Sequence, residues 1–324
     1  MMALGIESTA HTFGVGVITD DGKVLVNEKS VYKPPLGSGI RPREAAQYHL
    51  NNLSKIIKKV LKEIKISDLD IIGFSQGPGL PNCLQIGSST ARYLSLKHRN
   101  PLVGVNHCVA HIEIGKLMTK CNDPVVVYCS GGNTQIIAFV EGKYRIFGET
   151  EDIPIGNAFD VLARHMGLKM PGGPKIEELA KNGEWVDLPY VVKGMDLSFS
   201  GIVTECIKKF DKGASREIIS YSFQETVFAM LTEVTERAMA HTNKNEVLIT
   251  GGVAASKRLH EMMKIMCKER EGKCYTTPQK FAGDNGVMIA WNALLARKSG
   301  QAPCIEKSQI IKEWRTNEVN VTWI

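Results

Sequence analysis

The first thirty residues alternate between apolar and polar positions in three bursts, "ALGIES", "TFGVGVIT" and "KVLVNEKSVY", separated by short polar turns. Alternation of this kind predicts three strands of a meander. After the loop "KPPLGSGI", Pro42 opens a segment whose apolar residues Ala45, Leu50, Leu53, Ile56, Ile57 and Val60 recur at helical spacing. Proline suits the first turn of a helix, where its missing N–H is not needed. Then come a buried strand "LDIIGFS", a loop "QGPGLPN", a helix "SSTARYLSLKH", a strand "PLVGV" and a helix beginning at "NHCVAHIEIGK".

The pattern then begins again. "PVVVYCSGGNTQIIAFV" reads as strand, turn and strand, and "YRIFGET" as a third strand. Helices are predicted at "NAFDVLARHMG", "PKIEELAKN" and "REIISYSFQETVFAMLTEVTERAMAHT". Strand "EVLIT", helix "ASKRLHEMMKIMCKER", strand "CYTTP" and a last helix "NGVMIAWNALLARKSG" complete the half. A meander followed by alternating helices and strands thus occurs twice, about 120 residues apart, the mark of an internal repeat. The expected organisation is a duplicated α/β fold. Residues 1–122 form one lobe, 123–287 a second, and 288–324 pack back on the first. Two such lobes facing each other would enclose a cleft, the usual place for a ligand.

Composition narrows this only a little. The 324 residues carry a net charge of +6, and the eight cysteines include no C-x-x-C pair. That pattern suits reduced, buried thiols in a cytoplasmic protein better than a disulfide framework. No stretch is apolar enough to span a membrane. The mild excess of lysine and arginine is compatible with a nucleic-acid partner and equally with an ordinary solvated surface.

Candidate chemistry lies in the turns and in one helix. His107 and His111 sit four apart, so both imidazoles fall on one helical face and could share a metal. Cys108 occupies the position at which a zinc protease of the H-E-x-x-H type has its general-base glutamate, which argues against peptide hydrolysis. Eight histidines in 324 residues produce about 0.2 such pairs by chance, so two core histidines remain an open alternative. Each half also has a polar turn between apolar strands, Glu7 to His11 in the first and Ser130 to Thr134 in the second. Gly251 and Gly252 follow strand "EVLIT" before a helix. Turns that aim backbone N–H groups inward cradle anions, and a helix N-terminus adds to this. Neither a P-loop nor a G-x-G-x-x-G dinucleotide motif is present.

This arrangement resembles the actin, sugar kinase and heat-shock chaperone ATPase superfamily, whose lobes have an RNase H-like fold. The strings "GIESTAHT", "SQGPGL", "VNHCVAHIEIGK", "YCSGGNTQ", "FGETEDIPIGNAFDVLAR", "PGGPKIEELA", "LPYVVKGMDLSFSG", "GGVAAS" and "GDNGVMIAW" narrow the resemblance. In this order they are similar to the universal tRNA threonylcarbamoyladenosine synthase family, in the spelling of its archaeal and eukaryotic branch, the catalytic subunit of the KEOPS complex.

The resemblance implies residue roles. His107 and His111 match the family's metal ligands, completed by Tyr128 and Asp284. Two donors would come from each half, so that the metal bridges the cleft. Oxygen donors of this hardness suit iron, or zinc as second choice. Tyr128, Cys129, Ser130, Gly131, Gly132 and Asn133 match the phosphate turn for ATP, AMP or threonylcarbamoyl-AMP, and Gly251 and Gly252 the second glycine turn. Asp160 and Glu177 match carboxylates that accept the ribose hydroxyls, Gly173 a close approach to the base, and Ser256 replaces a more usual asparagine there. Glu7 and His11 lie in the first turn as candidate catalytic residues. Blander roles stand beside these: Tyr128 as a core strand residue, Asp284 as a helix cap, Asp160 and Glu177 as solvated helix residues, His11 as a structural hydrogen-bonder. The implied reaction is threonylcarbamoyl transfer to adenosine 37 of tRNAs reading ANN codons. The implied partners are a small atypical kinase (fused behind this domain in some archaea), a small dimerising subunit and an accessory subunit. The rivals are an ATP-hydrolysing or phosphoryl-transferring enzyme and a nucleotide-gated scaffold.

Overall fold

A computed structural model describes residues 1–35, 39–301 and 305–324. Part of the loop "KPPLGSGI" and Cys304 lie outside the described residues. In chain order the elements are β1 (Met2–Glu7), β2 (Thr12–Thr19), β3 (Val24–Val31), α1 (Pro42–Glu63), β4 (Ile71–Gly77), α2 (Pro81–His98), β5 (Leu102–Asn106) and α3 (His107–Thr119). The second series is β6 (Val125–Cys129), β7 (Thr134–Val140), β8 (Lys143–Glu149), α4 (Ile155–His165), α5 (Gly172–Ala180), β9 (Val192–Lys193), β10 (Asp196–Leu197), α6 (Ser200–Asp211) and α7 (Arg216–Thr242). It ends with β11 (Glu246–Thr250), α8 (Lys257–Glu269), β12 (Lys273–Thr276), α9 (Gln279–Ala282) and α10 (Gly286–Lys298).

The chain folds into two compact units, one of Met1–Met118, Glu141–Tyr144 and Gly283–Ile324, the other of Thr119–Val140 and Arg145–Ala282. Each has a five-stranded sheet, in the order β3-β2-β1-β4-β5 and β12-β11-β6-β7-β8. In the first, β1 pairs antiparallel with β2 and parallel with β4. In the second, β6 pairs antiparallel with β7 and parallel with β11. With β9 and β10, which pair as a separate ribbon, left aside and the remaining strands numbered from the start of each half, both sheets have one order, so the repeat read from the hydrophobic pattern is a repeat of topology.

In the first unit the strands turn alternate residues to opposite faces. Leu4, Ile6, Val15 and Val17 meet Ile56 and Val60 of α1 in one buried cluster. Gly5, Gly16 and Gly73 face the other way, onto α10. A Cβ on Gly5 would lie 2.2 Å from the Ala290 nitrogen and on Gly16 2.4 Å from the Val287 nitrogen. Those distances leave no room for any side chain, so α10 lies with its backbone against the strands. This corrects the expected boundary at residue 288. The segment from Gly283, Asp284 included, belongs to the first unit, because Gly286 itself packs on Gly16.

The second unit is built around α7. Its Phe223, Val227, Phe228 and Leu231 join Val125 and Val127 of β6 and Ala158, Phe159 and Leu162 of α4 in one core. Ser215 caps α7 through a bond from Ile218 N, and Asn243 ends it in the left-handed conformation. Helix α6 has no counterpart among the predicted elements. Its first turn is capped from elsewhere: Asp152 accepts from Phe199 N at 3.0 Å and Ser200 N at 2.9 Å.

Candidate metal and nucleotide sites

Strands β1, β4 and β5 are parallel, so their C-terminal ends share one edge of the first sheet, where open α/β sheets hold their ligands. At that edge β5 passes into α3 without a loop. Asn106, the last strand residue, caps the helix: its Oδ1 accepts from Cys108 N at 3.0 Å and Val109 N at 3.1 Å. His107 and His111 are both buried, with ring centroids 4.7 Å apart. Asp284, two residues ahead of α10, completes the group. His111 Nε2 lies 3.3 Å and His107 Nε2 3.6 Å from Asp284 Oδ1. Asp284 is not the helix cap, because Asn285 Oδ1 takes that role by accepting from Met288 N at 3.1 Å.

Behind His107 stands Glu7, fully buried at the end of β1. Its Oε2 lies 3.0 Å from His107 Nδ1, and its Oε1 accepts from Thr9 N at 2.7 Å and Thr9 Oγ1 at 2.5 Å. A carboxylate at Nδ1 holds a ring proton there and turns Nε2 toward Asp284. Burial disfavours charge on both imidazoles. At His107 the Glu7 carboxylate overcomes it and raises the imidazole to about 9, whereas at His111 burial prevails and lowers it. Asp284 is half-buried, which acts to raise its carboxyl, yet the bond to His111 and the charge of His107 hold it well below the usual range. One buried and one half-buried carboxylate around one imidazolium make a setting suited to a cation.

The donor set fits a metal. One ligand atom each from His107, His111 and Asp284 lies within 4.8 Å of the others. Tetrahedral donors at about 2.1 Å from one ion stand about 3.4 Å apart, which the two Asp284 pairs at 3.3 and 3.6 Å already match. All three donors belong to the first unit, in contrast to the expected two from each half. Tyr128, the fourth expected donor, is a fully buried residue of β6 in the second unit. His11 lies in the half-buried turn after β1, where its carbonyl accepts from Tyr32 N at 2.8 Å.

In the second unit, the turn after β6 is closed on itself. Ser130 N donates to the Asn133 carbonyl at 2.8 Å, and Ser130 Oγ accepts from Gly132 N at 3.2 Å and Asn133 N at 3.0 Å. The start of α4 lies directly against it, since a Cβ on Gly156 would come 2.6 Å from the Ser130 carbonyl oxygen. Gly251, at φ +91°, leaves a Cβ only 2.3 Å from the Cys129 carbonyl oxygen, so its glycine is required by the fold. Gly131, Gly132, Gly173 and Gly252 differ: a Cβ there would meet nothing within 4 Å. Their missing side chains serve no internal packing, which fits a surface left open for a ligand. Burial pushes the Cys129 thiol up, so it is a neutral contact.

Asp160 and Glu177 are half-buried rather than solvated, and each holds a helix N-terminus. Asp160 Oδ1 accepts from Gly172 N at 2.8 Å, at the start of α5. Glu177 Oε1 accepts from Lys257 N at 2.8 Å and Arg258 N at 3.1 Å, at the start of α8, and from Ser256 Oγ at 3.3 Å. Ser256 also caps α8 through Leu259 N. Two residues of the metal group went unnoticed in the sequence, Thr9 and Asn106. Asn106 was accessible, because asparagine immediately before a helical stretch is a cap signal. Thr9 was not, since its role depends on Glu7 being buried.

The fold defines the class first. Over 90% of this chain and 47% of the other, it superimposes on HypF from T. kodakarensis with a TM-score of 0.63 at 15% identity. The activator of a 2-hydroxyisocaproyl-CoA dehydratase from Clostridium difficile matches over 93% and 97% with a TM-score of 0.55 at 10% identity. These likenesses are of fold alone, the duplicated α/β architecture of the actin-like type. Residues 23–291 match the family model of tRNA N6-adenosine threonylcarbamoyltransferase, and the chain belongs to that family. Relatives of that name from Archaeoglobus fulgidus and Thermococcus sibiricus are each 53% identical, with the whole of both chains covered. A probable bifunctional tRNA threonylcarbamoyladenosine biosynthesis protein from Methanocaldococcus jannaschii is 52% identical, and the chain spans 61% of its length. Among the described residues no helix is long and apolar enough to cross a membrane.

Proposed function

We propose that this chain transfers the threonylcarbamoyl group of threonylcarbamoyl-AMP to the exocyclic amine of adenosine 37 in tRNAs reading ANN codons. The observation that carries the reading is the His107–His111–Asp284 group within a chain of this family. A phosphoryl-transferring enzyme of the same fold has no evident use for it. In this reading His107, His111 and Asp284 hold one metal ion, iron in preference to zinc, and Glu7 positions His107. Tyr128 as fourth donor rests on the family resemblance alone. When bound, the ion would orient the donor and polarise its carbonyl as a Lewis acid.

The Ser130–Asn133 turn receives the phosphate, and Gly173, Gly251 and Gly252 lie along the nucleotide. Asp160 and Glu177, each with one oxygen accepting from a helix start, are the carboxylates assigned to the ribose hydroxyls. An aromatic amine is a weak nucleophile, so orienting it against the carbonyl is the main demand on the protein. The amine nitrogen bonds to the carbonyl carbon, AMP departs, and His11 stands as candidate acceptor of the amine proton. The reading places the chain in the cytoplasm, in a KEOPS-type complex with a small kinase, a dimerising subunit and an accessory subunit.

Incubating the chain and those subunits with threonylcarbamoyl-AMP and unmodified tRNA, then analysing nucleosides by mass spectrometry, tests it. N6-threonylcarbamoyladenosine should appear at position 37. ATP hydrolysis without any modified nucleoside would favour the phosphoryl-transfer rival.

A further inference from the structure

The segment after α10 crosses the ends of β4 and β5 and then follows α3. Gln76 Nε2 donates to the carbonyls of Lys307 and Gln309 at 2.8 and 2.7 Å. Asn106, the cap of α3, donates through Nδ2 to the Trp314 carbonyl at 3.1 Å. Val319 and Val321 are buried while Asn320 and Thr322 are exposed, the alternation of extended chain. Next comes Trp323, whose indole Nε1 donates to Glu113 Oε1 at 2.8 Å. That same oxygen accepts from Tyr144 Oη at 2.5 Å. Ser299 Oγ, 2.7 Å from Thr322 Oγ1, fastens the segment to the far end of α10.

Glu113 is a buried carboxylate on the metal helix, and neither metal nor nucleotide binding uses it. Two residues beyond His111, it points about 200° around the helix from the ligand face. A buried carboxyl group needs hydrogen-bond partners, and here a donor comes from the C-terminal segment. The contacts therefore reach α3 at its cap and its middle, and α10 at its end. Those two helices begin at His107 and just after Asp284.

We infer that residues 305–324 form a strap that keeps α3 and α10 in the metal-binding arrangement, with Glu113 and Trp323 as positioning residues. The inference rests on the metal reading of His107, His111 and Asp284. Affinity for an ion depends on donors already arranged without it, and any ordering left to the ion weakens binding. Trp323→Phe removes the indole N–H and keeps an aromatic ring. Glu113→Gln still offers one oxygen to both donors, which share Oε1, so Glu113→Met, similar in length and without an acceptor oxygen, is the second variant.

The test measures Zn²⁺ affinity of the full chain by chelator competition, with hydrogen exchange of the α3 amides in parallel. His111→Ala and the exposed-tail variant Lys312→Ala serve as references. Trp323→Phe should bind Zn²⁺ about three- to tenfold more weakly, less than the roughly 10–100-fold of a direct ligand partner. It should also speed exchange in α3 but not in β1 or β2, while Lys312→Ala changes neither. If His111→Ala loses the ion and Trp323→Phe keeps full affinity and slow α3 exchange, the strap is refuted and the metal site stands. If His111→Ala binds as the unmodified chain does, the metal reading falls and the strap with it. Should Trp323→Phe fold poorly, Glu113→Met carries the same comparison.

Discussion

Replacing Glu7 by Gln isolates the carboxylate behind His107. The substitution keeps the shape, so the buried space at the end of β1 stays filled. Glu7 now accepts at both oxygens, from His107 Nδ1 at 3.0 Å and from Thr9 N at 2.7 Å. A glutamine has one acceptor oxygen, so its amide nitrogen must face a donor on one side or the other. Loss of such a partner behind a metal-bound imidazole costs about 10–100-fold in metal affinity, or about 1.4–2.7 kcal/mol. A proton works in the opposite direction. In the metal-free protein His107 is raised to about 9, so below that pH an ion must displace a proton from Nε2, and affinity climbs as pH rises toward 9. Without Glu7 the imidazole returns toward its ordinary range and this competition ends at lower pH. The comparison belongs at pH 9, by Zn²⁺ titration against a competing chelator. Glu7→Gln should be weaker there by about tenfold or more, with a pH dependence that levels off earlier. Equal affinity at pH 9 together with an unchanged pH profile would refute the role given to Glu7.

Gly5→Ala sets a Cβ 2.2 Å from the backbone of α10; overpacking of this kind costs about 1–3 kcal/mol, readable as a lower denaturation midpoint, and should weaken metal binding by shifting Asp284. Asp160→Asn retains an acceptor for Gly172 N but loses the charge. Calorimetry should show it losing most of a preference for AMP over the 2′,3′-dideoxy analogue worth about 1.5–3 kcal/mol, whereas Ser130→Ala weakens AMP relative to adenosine. At Asp152 burial acts to raise the carboxyl, but bonds from Phe199 N and the Ser198 and Ser200 groups outweigh it and hold it low. Its contribution is therefore complete above the ordinary value of 3.8 and is lost as pH falls through the folded value. Asp152→Asn should flatten that part of an acid-unfolding curve.

Local signals were legible, distant ones were not. Both ends of α7 follow from the sequence, because its cap Ser215 and its stop Asn243 adjoin it. Helix α6 was missed for the opposite reason, since Asp152, which caps it, lies 48 residues earlier. The His107–His111 pair could be read from its spacing, but Glu7 stands 100 residues from His107 and Asp284 173 from His111. Only packing brings them together. Resemblance named Asp284 and misjudged its unit, because the glycines that seat α10 on the first sheet act through close approach, which leaves no hydrophobic pattern. For Asp160 and Glu177 the choice between solvated and ribose-binding omitted what the fold does with them, which is to hold the starts of α5 and α8.

Transfer measured against metal occupancy tests the central claim most directly. The chain, with its partner subunits, is stripped by a chelator and reloaded in steps, and threonylcarbamoyladenosine formed on tRNA in a single turnover is counted at each step. Product should rise in proportion to bound metal, and His111→Ala should form none at any metal concentration. Full transfer by the stripped chain, or by His111→Ala, would contradict the account.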